Sequence, residues 1–135
     1  MTPSEIGERA EAAVIHALAR AGKRILIPLS GSARYDLVFE DDDGFHRVQC
    51  KTARVFDEAV FFRTCSQTGG VLKGYRGEID FFGVYCAHRE EVYLVPVDEV
   101  PERAAHLRLG PTRNGQEKSV RWAADYRLGE EATHR

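Results

Sequence analysis

The stretch YDLVFEDDDGFHRVQCK, residues 35–51, decides the fold. It reads as two short strands joined by a tight acidic turn, with apolar and polar residues alternating on either side. Alternation puts Tyr35, Leu37 and Phe39 on one face and Asp36, Val38 and Glu40 on the other. In the second strand Arg47, Gln49 and Lys51 share a face, opposite Val48, Cys50 and Thr52. A two-residue turn at Asp43-Gly44 pairs Asp36 with Lys51, whereas a four-residue turn over 41–44 pairs Asp36 with Gln49. Either even-length turn gathers Asp36, Gln49 and Lys51 on one side of the sheet. An odd loop would separate them, because a one-residue slip reverses every side chain.

The elements around this hairpin define an α/β chain. Before it, Thr2 is placed to cap a helix, with Pro3 at its first position and Glu5 completing a capping box. Ile6, Ala10, Ala13, Val14, Ala17, Leu18 and Ala21 recur at helical spacing, and Gly22 stops the run. At about 100° per residue Glu11 falls at the edge of the apolar stripe, and Glu8 lies further toward the polar side. RILIPL, residues 24–29, reads as a strand that Pro28 confines to an edge or an end, and the SGSA that follows as a loop. Further strands are expected over 59–66, 79–86 and 92–100, with a glycine-rich polar loop over 67–78. SVRWAADY is expected to form a helical turn burying Trp122 and Tyr126, RNGQ a turn, and residues 129–135 a frayed tail.

Size and composition set the bounds. At 135 residues, 43% hydrophobic and 30% charged, the chain is expected to form one domain with a core of its own. A net charge of −2 does not mark a nucleic-acid binder globally. Charge is uneven, however: between 51 and 76 stand Lys51, Arg54, Arg63, Lys73 and Arg76 against Asp57 and Glu58 only. Cys50, Cys65 and Cys86 show no zinc spacing and are expected to be reduced, buried thiols of a cytoplasmic protein. No stretch resembles a signal peptide or approaches membrane-spanning length. The five histidines show no metal or triad spacing.

The chemistry-bearing residues are therefore Glu11 on the helix, Asp36 on one strand and Gln49-x-Lys51 on the next. Taken singly, each is an ordinary solvated residue. Together on one face, they hold what phosphodiester hydrolysis needs: oxygen ligands for a hard cation, and a lysine to orient or deprotonate water. Asp36, the side-chain oxygen of Gln49 and a main-chain carbonyl near Cys50 are the candidate ligands, with Glu11 holding a metal-bound water or a second ion.

The same residues, in the contexts GERAEA, RYDLV and VQCKT, together with YRGEIDFFGVYC and VYLVPVDEV, resemble the PD-(D/E)XK nuclease superfamily. The branch resembled is that of group I intron-encoded homing endonucleases, in which Gln replaces the second acid. The resemblance implies a restriction-endonuclease-like mixed β-sheet preceded by an N-terminal helix. It also implies a DNA endonuclease using Mg2+, with Mn2+ able to substitute, and Glu11, Asp36, Gln49 and Lys51 as its catalytic set. Arg54, Arg63, Lys73 and Arg76 are the expected DNA contacts, and Ser30 and Ser32 candidate phosphate contacts. Cutting two strands with one site per chain implies a homo-oligomer. Three alternatives stay open: a resolvase acting on branched DNA, a nuclease-fold module that binds DNA or protein without cutting, and an ordinary globular protein whose polar strand face is merely solvated.

Overall fold

A computed structural model describes residues 1–111, 115 and 119–129. It opens with helix α1, Pro3–Arg20, whose start is fixed as its sequence requires. Thr2 Oγ1 accepts from Glu5 N at 3.2 Å, and Glu5 Oε1 accepts from Thr2 N at 2.8 Å.

Among the described residues ten strands follow: β1 Arg24–Leu26, β2 Leu37–Asp41, β3 Gly44–Phe56, β4 Ala59–Arg63, β5 Cys65–Thr68, β6 Val71–Gly74, β7 Phe81–Cys86, β8 Glu91–Pro96, β9 Ala104–Arg108 and β10 Arg127–Leu128. The main sheet runs β1-β2-β3-β7-β8-β10, with β4 joined to the far end of β3 and β9 to β4. β3 and β7 are parallel and the other pairings antiparallel, so the sheet is mixed. β3 is the axis: β2 lies along its first half, β7 along its middle and β4 along its end.

Each face of this sheet has its own core. On one, Val14 and Leu18 of α1 press on Leu37, Phe39, Val48 and Cys50. On the other, Val60, Phe62, Tyr75, Phe82, Val84 and Leu107 pack together. Burying an apolar side chain of this size contributes about 1.5–3 kcal/mol. The helix sits so close to β7 that a Cβ on Gly83 would lie 2.7 Å from Val14 Cγ1. Only glycine leaves that space, and the contact sets the height of α1 over β7.

The β2–β3 register confirms the even-turn reading. Asp41 pairs with Gly44 and Glu40 with Phe45, so the turn residues are Asp42 and Asp43, not Asp43 and Gly44. Asp43 N donates to Asp41 Oδ1 at 2.9 Å, and Gly44 takes φ +117°. The pairing ends at Leu37–Val48, and Asp36 N also bonds to Val48 O at 2.8 Å.

Several expectations give way. The glycine-rich stretch is a hairpin: β5 and β6 pair through a Gly69-Gly70 turn with φ of +58° and +83°, the two positive angles a type I′ turn requires. The strand expected over 59–66 breaks at buried Thr64, whose hydroxyl donates to Pro101 O at 2.6 Å. That expected over 92–100 ends at Pro96, passing into a 3-10 turn over Val97–Glu99. Near the C-terminus a 3-10 turn, Ala123–Asp125, buries Ala123, while Trp122 and Tyr126 stay half-buried. The RNGQ turn and the tail beyond Gly129 lie mostly outside the described residues. All three cysteines are free and buried, as expected. Among the described residues no helix is long and apolar enough to cross a membrane.

Candidate active site

Asp36 reaches the site through a bend, not through strand alternation. β2 begins only at Leu37, and at Asp36 the backbone N donates to Val48 O at 2.8 Å. The next inward-pointing amide of β3, Cys50 N, lies beyond the end of β2. The carboxylate takes the missing strand's place: Asp36 Oδ2 accepts from Cys50 N at 2.9 Å. The chain is not extended here, so Tyr35 turns to the second core instead of sharing the face of Leu37 and Phe39.

Gln49 and Lys51 alternate on the β3 face away from α1, between residues whose side chains enter the α1-side core. Gln49 is half-buried, in register with Phe82 on β7. Its amide makes no hydrogen bond to any described residue, so its oxygen is available to a ligand. Lys51 is tethered. Its Nζ donates to Cys65 O at 3.1 Å and to Tyr75 Oη at 3.4 Å, 4.8 Å from the centre of the Tyr75 ring.

The electrostatics set these groups against their surroundings. Burial raises the Asp36 carboxyl above its usual range, against the lowering effects of the Cys50 amide and the Lys51 charge. Partial desolvation, then the negative charges of Asp36 and Glu8, raise Glu11. Burial lowers Lys51, and the charge of Arg34 adds to that, outweighing the opposing pull of Cys65 and Asp36. Burial and the charges of Asp36 and Glu11 push the Cys50 thiol up, which keeps it protonated and inert. Glu11, although exposed on α1, thus lies close enough to Asp36 and Cys50 to act on both. Two carboxyls that are both raised, Glu11 partly by the charge of Asp36, form a hard-donor pair that a divalent cation would relieve. Among the described residues no three His, Cys, Asp or Glu side chains cluster as a metal site.

Two residues not anticipated from the sequence complete the arrangement. Arg34 sends Nε to Glu78 Oε1 at 2.9 Å, Nη1 to Ser66 Oγ at 2.9 Å and Nη2 to Gly74 O at 2.7 Å. Its guanidinium stacks 4.0 Å over Tyr75, so the aromatic ring lies under both Arg34 and Lys51. No local pattern marks Arg34 or Tyr75: the hydrogen-bond partners of Arg34 lie at least 32 residues away, and Lys51 lies 24 from Tyr75.

The expected DNA contacts are scattered. Arg54 is exposed beside Phe56 and Phe61 at 5.4 and 5.3 Å, and Arg63 is exposed at the end of β4. Lys73 on β6 pairs with Glu78 at 3.6 Å, while Arg76 donates to Val100 O at 2.6 Å. Ser30 and Ser32 are exposed and bond to each other at 2.8 Å. Asp80 is held by Arg47 and not by nearby Arg76: Oδ2 accepts from Arg47 N at 2.7 Å and Nε at 3.2 Å, and Oδ1 from Nη2 at 3.2 Å. A cleft of about 630 Å3 lies elsewhere, between the C-terminal half of α1 and β8–β10. One of its acids, Glu91, is paired with both Arg89 and Arg127, and no lysine lines it.

With this geometry in place, the comparisons define the class. The sequence profile of the PD-(D/E)XK endonuclease family matches residues 1–129, and the chain belongs to that family. The solved structures include a similar one, a bacterial homing endonuclease, I-Ssp6803I. It is 27% identical, with a TM-score of 0.76 over 99% of this chain and 92% of that one. Among curated proteins, none matches.

Proposed function

We propose that the protein is a Mg2+-dependent DNA endonuclease of the homing type, working as a homo-oligomer. The observation that carries this is the Asp36–Cys50 hydrogen bond, which seats a carboxylate at the end of β2 beside Lys51 and Glu11. That seat occurs in a chain that belongs to a nuclease family and resembles a homing endonuclease along nearly its whole length.

Asp36, the Gln49 side-chain oxygen and Glu11 would hold the cation. When bound, it supplies positive charge to the phosphate and lowers the pKa of water. The protein's own part is positioning. Lys51, held by Cys65 O and Tyr75 Oη, would orient the attacking water. Its lowered pKa suits it to take the water's proton as the new P–O bond forms and the bond to the leaving sugar oxygen breaks. Gln49 contributes an oxygen without charge, so the carboxylates Asp36 and Glu11 carry the electrostatic attraction for the cation. One site cuts one strand, and cutting both strands of a duplex calls for a second copy related by two-fold symmetry.

The test is cleavage of supercoiled plasmid and of a synthetic four-way junction, with Mg2+ or Mn2+, by the wild type and Lys51→Ala. Metal-dependent cutting of plasmid that the variant loses supports this reading. Preference for the junction would move the protein to the resolvase reading. Absence of both cutting and DNA binding would end the nuclease reading.

A further inference from the structure

The β5–β6 hairpin stands outside the main sheet as a two-stranded ribbon of its own. Its root is bolted to the candidate site from both strands. Arg34 bonds Ser66 on β5 and Gly74 at the end of β6, and Lys51 bonds the carbonyl of Cys65, the first residue of β5. Four residues at about 3.3 Å each carry its tip roughly 13 Å from that root. The tip is clear of the protein: a side chain begun at Gly69 or Gly70 would meet no atom within 4 Å.

The chemistry changes from root to tip. Lys73, near the root, is paired with Glu78. Beyond it, Gln67, Thr68, Val71 and Leu72 are all exposed and uncharged, with Val71 68% accessible. Phosphate binding would call for lysine or arginine there. An amide, a hydroxyl and bare methyl groups are instead the groups that read base edges, with Gln suited to adenine and apolar side chains to the thymine methyl. A two-stranded ribbon also fits the major groove, about 12 Å wide.

We infer that the β5–β6 ribbon is a base-reading arm, entering the major groove beside the phosphate that is cut, with Gln67 and Leu72 as specificity residues. Gln67 and Leu72 are directly opposed across the ribbon, so they read neighbouring positions. The inference rests on the nuclease reading, since DNA held by Lys51 must pass the ribbon rooted there. The test is selection of DNA from a pool of random-sequence duplexes by the full-length protein in Ca2+, repeated with Gln67→Ala and Leu72→Ala. Both side chains are exposed, so neither change should lower Tm.

The wild type should enrich a sequence motif. Each variant should lose preference at one or two adjacent base pairs, and its affinity for the wild-type motif should fall about 5- to 150-fold. The same motif from all three proteins would overturn the arm and leave the ribbon as a contact between protein chains. DNA retained without any sequence motif would overturn the arm but spare the nuclease. No DNA retained by the wild type would overturn both.

Discussion

Two polar clusters on this sheet are built in opposite ways. Around Glu91, Arg89 donates at 2.8 Å, Arg127 at 3.0 Å, and Tyr93 gives its hydroxyl as well. These partners outweigh burial and lower the Glu91 pKa, while Tyr93, buried and bonded to the acid, is pushed up to about 12. Asp80 with Arg47 follows the same pattern of matched charges. Around Asp36 every shift runs the other way: two carboxyls are raised and a lysine is lowered. The first cluster is complete within the protein. The second disfavours its own charges, as a site does when part of its partner set arrives with a ligand.

The largest break in this comparison should come from Lys51→Ala. Loss of a group that positions water and offsets charge should reduce plasmid cleavage about 100- to 10,000-fold, measured in single turnover. The matching change in the other cluster, Arg89→Ala, should leave the cleavage rate unchanged. Gly83→Ala tests whether the α1 contact sets the frame for both clusters. Its added methyl, 2.7 Å from Val14, should cost about 1–3 kcal/mol in urea unfolding. A smaller effect separates ring from hydroxyl under Lys51: Tyr75→Phe keeps the aromatic platform but loses the 3.4 Å contact. It should slow cleavage several-fold without changing DNA affinity in Ca2+, and an unchanged rate would show that the hydroxyl does not orient the lysine.

The smallest effect is on stability against pH, and the two clusters should differ in sign. Asp80 is lowered in the fold, so its contribution is present above its unfolded pKa and lost as pH falls through the folded value. Asp36 is raised, so its contribution is present below its unfolded pKa and lost as pH rises through the folded value. In metal-free protein, Asp36→Asn should therefore match or exceed wild-type stability at neutral pH, whereas Asp80→Asn should lose up to about 1 kcal/mol. Urea unfolding of the three proteins at pH 4 and pH 7 would read both signs.

Much of this was legible in the sequence because it is local. The capping box at Thr2–Glu5 and the even turn between β2 and β3 depend on residues only a few positions apart. The β5–β6 ribbon was not legible, because its strands cover neither core and so carry no apolar alternation; only Gly69-Gly70 marked it, and glycine pairs also occur in loops. Arg34 was hidden for another reason: its three hydrogen bonds reach residues 32, 40 and 44 positions away. Asp80 chose Arg47 over the nearby Arg76 because β3 and β7 run side by side, which sequence distance does not convey. The sequence placed Asp36 on the same side as Lys51, and the two do act on each other, but the route of Asp36 there, accepting from an amide that β2 leaves unpaired, needed the end of β2 to be seen.

The most direct test of the central claim is the thermal shift caused by millimolar Mg2+ at pH 8, compared between the wild type and Asp36→Asn. If the raised carboxylates form a cation site, Mg2+ will raise the wild-type Tm and leave that of Asp36→Asn unmoved. Equal shifts in both proteins, or none in the wild type, would contradict the claim.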